Sequence, residues 1–313
     1  MHIDPPLLFA ASLNWVTPLW IVAAGVAVIV AAFFAVYYLL VFAAPKVAAI
    51  AHTTAKEAWA QPLFWVTLSL GAVLLLIFPF IPYYTLGEDV KMIKDSGLAL
   101  ITVLSIILAV WTASVSISDE IEGRTALTLL SKPVGRRQFI LGKFLGVLAP
   151  TLSMFVVLGA LFLATVSFKV KHEARETSNP EPSAAECQTE MLQIVPGLVL
   201  KFMEAAMLAS ISVALSTRLP MLPNLVLCVT IYALGHLAPL FANAFRDSRL
   251  VAFFGQFIAT VLPNLDDFDI PAAVSTGRSV PLIYLAWAAV YATLYSTVAM
   301  VLALLMFEDR DLA

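Results

Sequence analysis

Lys201 and Glu204 stand three residues apart inside the run VPGLVLKFMEAAMLASISVALS, and His236 stands inside LVLCVTIYALGHLAPLF. Ionisable groups in such apolar surroundings are expensive, and they persist where they pair with one another or touch something that passes. A lysine and a glutamate at i, i+3 share one helix face. Two readings are open. The pair neutralises itself, with Lys201 able to reach a polar boundary on its long stem, or Glu204 belongs to a transport or gating pathway. His236 is either a proton or substrate contact or a hydrogen-bonded packing residue. The acidic cluster Asp266, Asp267 and Asp269 lacks the register of an EF-hand calcium loop and reads as a solvated loop or a helix cap.

The second chemically loaded stretch is residues 118–143, SDEIEGRTALTLLSKPVGRRQFILGK, which holds eight of the 39 charged residues, 18 basic and 21 acidic, of the chain. Such a density cannot sit in lipid, so the stretch projects into water. Within it Leu127, Leu130 and Val134 recur at i, i+3 and i+7 with Leu129 beside them, the pattern of a short amphipathic helix with one apolar side. Gly123 permits a turn before that helix, and Pro133 disfavours helix at Lys132 and ends it. GRRQFILGKF then resumes helically. The apolar side either packs on its own neighbours, with Arg136, Arg137 and Lys143 meeting anionic lipid, or docks into a groove on a cytoplasmic partner.

Several chemistries lack their residues. No Walker A sequence occurs. GRRQFILGKF has the wrong glycine spacing and places Phe144 where a Ser or Thr would hold magnesium. HExxH and GxSxG are absent, so protease and hydrolase chemistry have no support. Cys187 falls in a polar stretch and Cys228 in an apolar run, which argues against a disulfide, and neither has further metal ligands at useful spacing. The expectation is a chain that is not itself an enzyme and carries no cofactor or metal.

The elements that must position these residues are set by hydrophobicity. Of 313 residues 61% are hydrophobic and 12% charged, with a mean hydropathy of +0.93. A water-soluble domain of this size needs far more surface charge. The net charge of -3 gives no reason to expect nucleic acid as a partner. A spanning helix needs about 20 mostly apolar residues, and stretches near 19–42, 63–84, 97–117, 145–168, 192–215, 221–243 and 281–306 qualify. The reading is an all-α polytopic membrane protein with about seven transmembrane helices. The N-terminus has no Lys or Arg ahead of its first apolar run, unlike a signal peptide, so that run is read as a retained helix.

Lys46 and Lys56 follow the first span and no Lys or Arg precedes it. This places the N-terminus outside and, with seven spans, the C-terminus in the cytoplasm. The whole tally, roughly nine Lys/Arg inside against eight outside, adds little. Residues 46–60 suit a helix flat in the membrane interface, with Trp59 at headgroup level, or a plain cytoplasmic linker. Residues 169–190 read as a solvated extracytoplasmic loop. The apolar part of 244–280 is too short to cross, so that segment is expected to be re-entrant or interfacial.

EIEGRTALTLLSKPVGRRQFILGK resembles the cytoplasmic loop of permease subunits in type-2 ABC transporters. Glu120, Gly123, Thr125, Leu129, Leu130, Pro133, Val134, Arg136, Ile140, Gly142 and Lys143 carry the resemblance, with Arg124 inserted after the glycine. KEAWAQPLFW, LPNLDDFD and MFEDRDL resemble the family's interfacial helix, last extracytoplasmic segment and cytoplasmic tail. The resemblance implies that residues 118–143 are a coupling loop bound by a separate ATPase subunit, which would hold the ATP and magnesium. Leu127, Leu129 and Leu130 would be the docking knobs. Glu120, Glu122, Arg124 and Arg136 would form the rim, with Gly123, Thr125 and Pro133 shaping the loop. It implies a second permease, as a homodimer or heterodimer, export of a substrate and residence in a prokaryotic cytoplasmic (inner) membrane among its lipids. Two alternatives stay open: a membrane scaffold coupled to the same ATPase without moving a solute, and an ATP-independent carrier or channel in which Glu204 or His236 controls flux. Residues 44–313 would be the permease domain. The family has six spans, so residues 1–43 would add an extra N-terminal transmembrane helix.

Overall fold

The computed structural model describes residues 15–81, 89–122, 135–176, 180–244, 262–270 and 280–308. All its regular structure there is helical: α1 Leu19–Ala43, α2 Pro45–Ala60, α3 Pro62–Ile77, α4 Asp89–Glu122, α5 Arg136–Glu176, α6 Ala184–Leu192, α7 Val195–Ser216, α8 Met221–Ala244 and α9 Leu282–Glu308. Short 3₁₀ turns follow α3 at Phe78–Phe80 and stand at Asp266–Phe268. Among the described residues six helical stretches are long and apolar enough to cross a membrane, and Met221–Leu237 of α8 is a shorter apolar one. The chain is a multi-pass membrane protein, and α8 covers the stretch predicted as the sixth span.

Local sequence sets the helix ends. Pro45 and Pro62 occupy first-turn positions of α2 and α3, where a missing amide hydrogen costs nothing. Pro79 lies in the 3₁₀ turn that ends the second span. Ser183 and Glu186 form a reciprocal capping box that starts α6. At 41 residues, α5 is roughly 60 Å long, about twice the hydrocarbon thickness of a bilayer, so it extends beyond the membrane.

The core forms around α7, which packs against α4, α5, α8 and α9. Most of its residues from Leu200 to Ser216 are buried. A second apolar cluster joins Ala113 and Ile117 of α4, Phe139 and Ile140 of α5, Val213 of α7 and Phe307 of α9. It lies at the end of the bundle that carries residues 118–143. By contrast α1 buries none of its residues.

Two expectations are corrected. Residues 44–61 are not a plain linker: Pro45–Ala60 is the helix α2. Val47, Ala51, Thr54 and Ala58 of α2 are buried against α5, and Trp59 Nε1 donates to Ser153 Oγ at 3.1 Å. Gly142 and Gly146 permit this approach, since a Cβ there would stand 2.7 Å from Ile50 Cβ and 2.5 Å from Thr54 Cβ. Small residues at crossings let membrane helices touch closely. Nor is 169–190 simply a solvated loop. α5 continues to Glu176 and α6 begins at Ala184. Lys169 is 1% exposed because it reaches Asp89 Oδ2 at 3.1 Å and Pro79 O at 3.3 Å. Charged side chains given internal partners can line a packed helix instead of a loop.

Candidate coupling site and buried charges

Residues 118–143 connect the end of α4 to the start of α5. Gly123, Arg124, Thr125, Leu127, Leu129, Leu130 and Pro133 lie outside the described residues, and Glu122 is described by its helical backbone alone. The root of the stretch is described. Lys143 Nζ of α5 pairs with Glu120 Oε1 of α4 at 2.5 Å, and Lys143 is 2% exposed. Burial pushes the Glu120 carboxyl up from 4.5, and the charge and hydrogen bond of Lys143 oppose that without cancelling it. Arg136 Nη1 donates to Phe307 O of α9 at 3.5 Å, with the guanidinium 5.8 Å from the Phe307 ring centre. Phe139 stacks on Phe307 at 5.6 Å. Ser118 Oγ donates to Leu219 O, between α7 and α8, at 3.2 Å. The root is thus a joint between α4, α5, α9 and the α7–α8 turn.

The other predicted residues meet elsewhere. Lys201 Nζ lies 3.0 Å from Glu204 Oε2 and 3.4 Å from Asp269 Oδ1, and His236 Nε2 lies 2.8 Å from Glu204 Oε1. Glu204 is fully buried, and each of its oxygens has a partner. Tyr232 sets its ring edge-on to His236 with centres 4.8 Å apart. Asp269 comes from the segment 262–270, which packs on α7 and α8 through Leu265 and Phe268, both fully buried. Leu265 N donates to Gly235 O at 3.4 Å. The sequence reading brought Lys201 and Glu204 together. It missed that His236 and Asp269 complete the cluster. It also placed Asp266, Asp267 and Asp269 as a set, whereas Asp269 faces the bundle. Asp267 is exposed, with partial burial of its carboxyl pushing it up and a hydrogen bond with Asn264 opposing.

A further network had gone unremarked. Asn224 of α8, fully buried, donates from Nδ2 toward Ser114 Oγ at 2.6 Å, Ser216 Oγ at 2.7 Å and Ser212 Oγ at 2.9 Å. It joins α8 to α4 and α7, the interhelical hydrogen bonding that holds membrane helices together. The sequence signal was an Asn one turn above Pro220 in an apolar run, paired with serines spaced four apart at 212 and 216. At the opposite end of the bundle Lys94 pairs with Glu190 and donates to Gln193 Oε1 at 2.9 Å, joining α4 to the α6–α7 region. Among the described residues no group of three His, Cys, Asp or Glu is placed to hold a metal ion.

Comparison with known families now bears on the bundle. A sequence profile described as ABC-2 family transporter protein matches residues 81–312. That range takes in the loop root and the buried charges and leaves α1 to α3 outside. A search of curated proteins found no match. With the profile covering well over half of the 313 residues, and with the helical, multi-pass architecture it requires in place, this chain belongs to the ABC-2 family of transporter proteins as a membrane-spanning permease subunit.

Proposed function

We propose that this permease works in an ATP-driven exporter of a prokaryotic cytoplasmic membrane. It pairs with a second permease copy and is driven through residues 118–143 by separate ATPase subunits that hold the ATP and magnesium. One observation supports this above the others: the joint at the root of 118–143. A partner pushing on that loop acts on the ends of α4 and α5, which the Glu120–Lys143 pair locks together, and on α9 through Arg136 and Phe307. Coupling requires contact between elements with discrete arrangements, and a loop clamped to three spans transmits displacement rather than absorbing it. Leu127, Leu129 and Leu130 supply the apolar contact and Glu122, Arg124 and Arg136 its rim. Lys201, Glu204 and His236 lie on the path of that displacement. They tie α7 and α8 to the 262–270 segment, so rearrangement of α7 opens or closes the bundle there.

The experiment is co-purification in mild detergent, with a vanadate-sensitive ATPase assay on the eluate. Wild-type protein should bring a Walker-A-containing subunit with it. Replacing Leu129 and Leu130 together by Asp should cut that recovery at least tenfold with membrane insertion unchanged, because apolar docking area is replaced by desolvated charge. Normal ATPase recovery with the double variant would remove the loop from the coupling role.

A further inference from the structure

α2 and α4 both pack on α5 and scarcely on each other. A partly open crevice of about 200 Å³ is left between them, beside the root of residues 118–143. Thr54, Glu57 and Gln61 line it from the side of α2, and Thr112, Ser116 and Glu120 from the side of α4. The spacings are i, i+3, i+7 on one helix and i, i+4, i+8 on the other, each a stripe along one face. Two of these residues are anomalous. Thr54 and Thr112 are each 1% exposed, and among the described residues neither hydroxyl has a hydrogen-bond partner. Other buried threonines return theirs to their own helix, as Thr102 does to Leu98 O and Thr151 to Val147 O. Thr54 sets its methyl toward α5, where a Cβ on Gly146 would stand 2.9 Å from Thr54 Cγ2, and this leaves the hydroxyl for the crevice. Gln61 Oε1 is likewise buried without a partner among the described residues. Orphaned buried oxygens are costly and call for something to bind.

The lining selects what that is. Two carboxylates, an amide oxygen and three hydroxyls all offer lone pairs, and none of these groups carries positive charge. An anion is therefore repelled. No His or Cys lines the crevice, which disfavours copper and zinc. A hard cation held through oxygen remains, or water. Water leaves charge unbalanced. Glu57 is close enough to Glu120 for its charge to push the Glu120 carboxyl up. Lys143 pairs with Glu120, so of the two lining carboxylates one negative charge stays over. A divalent ion asks for more than this: calcium sites gather several carboxylates, and magnesium gives up its water reluctantly. We infer that the crevice binds one alkali-metal cation, K⁺ or Na⁺, through the oxygens of Glu57, Thr54, Thr112 and Gln61, and that the ion ties α2 to α4 beside the loop root. This site goes beyond ATPase coupling and does not depend on it.

The test uses the full chain in detergent, freed of alkali ions by exchange into N-methylglucamine chloride. Radioactive rubidium, standing in for K⁺, and radioactive sodium are titrated in separate scintillation proximity assays. At least one of them should bind saturably, and unlabelled K⁺ or Na⁺ should displace it where N-methylglucamine does not. Thr112→Val removes a hydroxyl at nearly unchanged shape, and Glu57→Gln removes the charge of an exposed side chain. Each should weaken binding at least tenfold. Unfolding gives a second readout. At constant ionic strength K⁺ or Na⁺ should raise the wild-type midpoint by several degrees, as a ligand of the folded state does, and neither variant should respond. Thr112→Val, relieved of an orphaned hydroxyl, should be at least as stable as the wild type in N-methylglucamine, which separates lost binding from misfolding. Absence of saturable binding of both ions would overturn the inference and leave the crevice to water. So would binding that both variants leave intact. Displacement by calcium or magnesium at concentrations at least a hundredfold below those of K⁺ and Na⁺ would overturn it too, by making the site divalent.

Discussion

Glu204 is bound from two directions, by Lys201 on its own helix and by His236 on the next. A buried carboxylate so held is costly to orphan. Removing one partner of a buried pair typically costs about 3–5 kcal/mol, whereas removing both charges together costs far less. Lys201→Met should therefore lower the thermal unfolding midpoint in detergent by several degrees, and Lys201→Met with Glu204→Leu should recover much of that loss. A single variant as stable as the wild type would mean that the cluster is solvated. The Lys201–Glu204 half was legible in sequence because i, i+3 spacing fixes a shared face without any knowledge of the fold. His236 is 32 residues further on, and which way it points depends on the rotation of α8 about its axis. Asp269 depends on how 262–270 folds back. Neither orientation is written in local spacing.

At the scale of elements, the spans were readable because hydrocarbon demands long apolar helices. The predicted edges fell short where charged residues find partners inside. α4 begins at Asp89 rather than 97, and α5 runs to Glu176 rather than 168, because Asp89, Lys94 and Lys169 pair across helices. The close packing of α2 on α5 was not readable, since Gly142 and Gly146 look like ordinary glycines until Ile50 and Thr54 are seen against them. This contact is the most exacting one near the loop root. Gly146→Leu forces a side chain into the space held by Thr54 Cβ and Ala51 O, 2.5 and 2.9 Å from the new Cβ. Backbone cannot yield as a flexible side-chain tip does, so the cost should reach or exceed the roughly 1–3 kcal/mol usual for overpacking. Gly25→Ala, with open space around it, is the matched control. Limited proteolysis should release α2 from Gly146→Leu protein and not from the control, and equal resistance would show that α2 tolerates displacement.

At the scale of the whole molecule, the two ends of the bundle differ in a way the charge count conceals. Lys and Arg are nearly balanced between the ends by number. Their settings are not alike. At the end with residues 118–143, Lys46, Lys56, Arg137 and Arg218 are exposed, and of the described basic residues there only Lys143 is buried, in its pair with Glu120. At the other end Arg175 is exposed, but Lys94, Lys169 and Lys171 are 2%, 1% and 6% exposed, and Lys94 and Lys169 sit in ion pairs with Glu190 and Asp89. The positive-inside bias concerns basic residues in short loops flanking spans, and lysines neutralised within the fold should weigh less. On that argument we expect the 118–143 end to face the cytoplasm. Cysteine labelling checks it. Cys187 and Cys228 are buried and can be replaced by Ala to give a cysteine-free background. In right-side-out membrane vesicles, Glu181→Cys should react with an impermeant maleimide and Gly135→Cys should not, until the vesicles are opened. The reverse pattern would place residues 118–143 outside, where no cytoplasmic ATPase could reach them, and would end the coupling proposal along with the orientation.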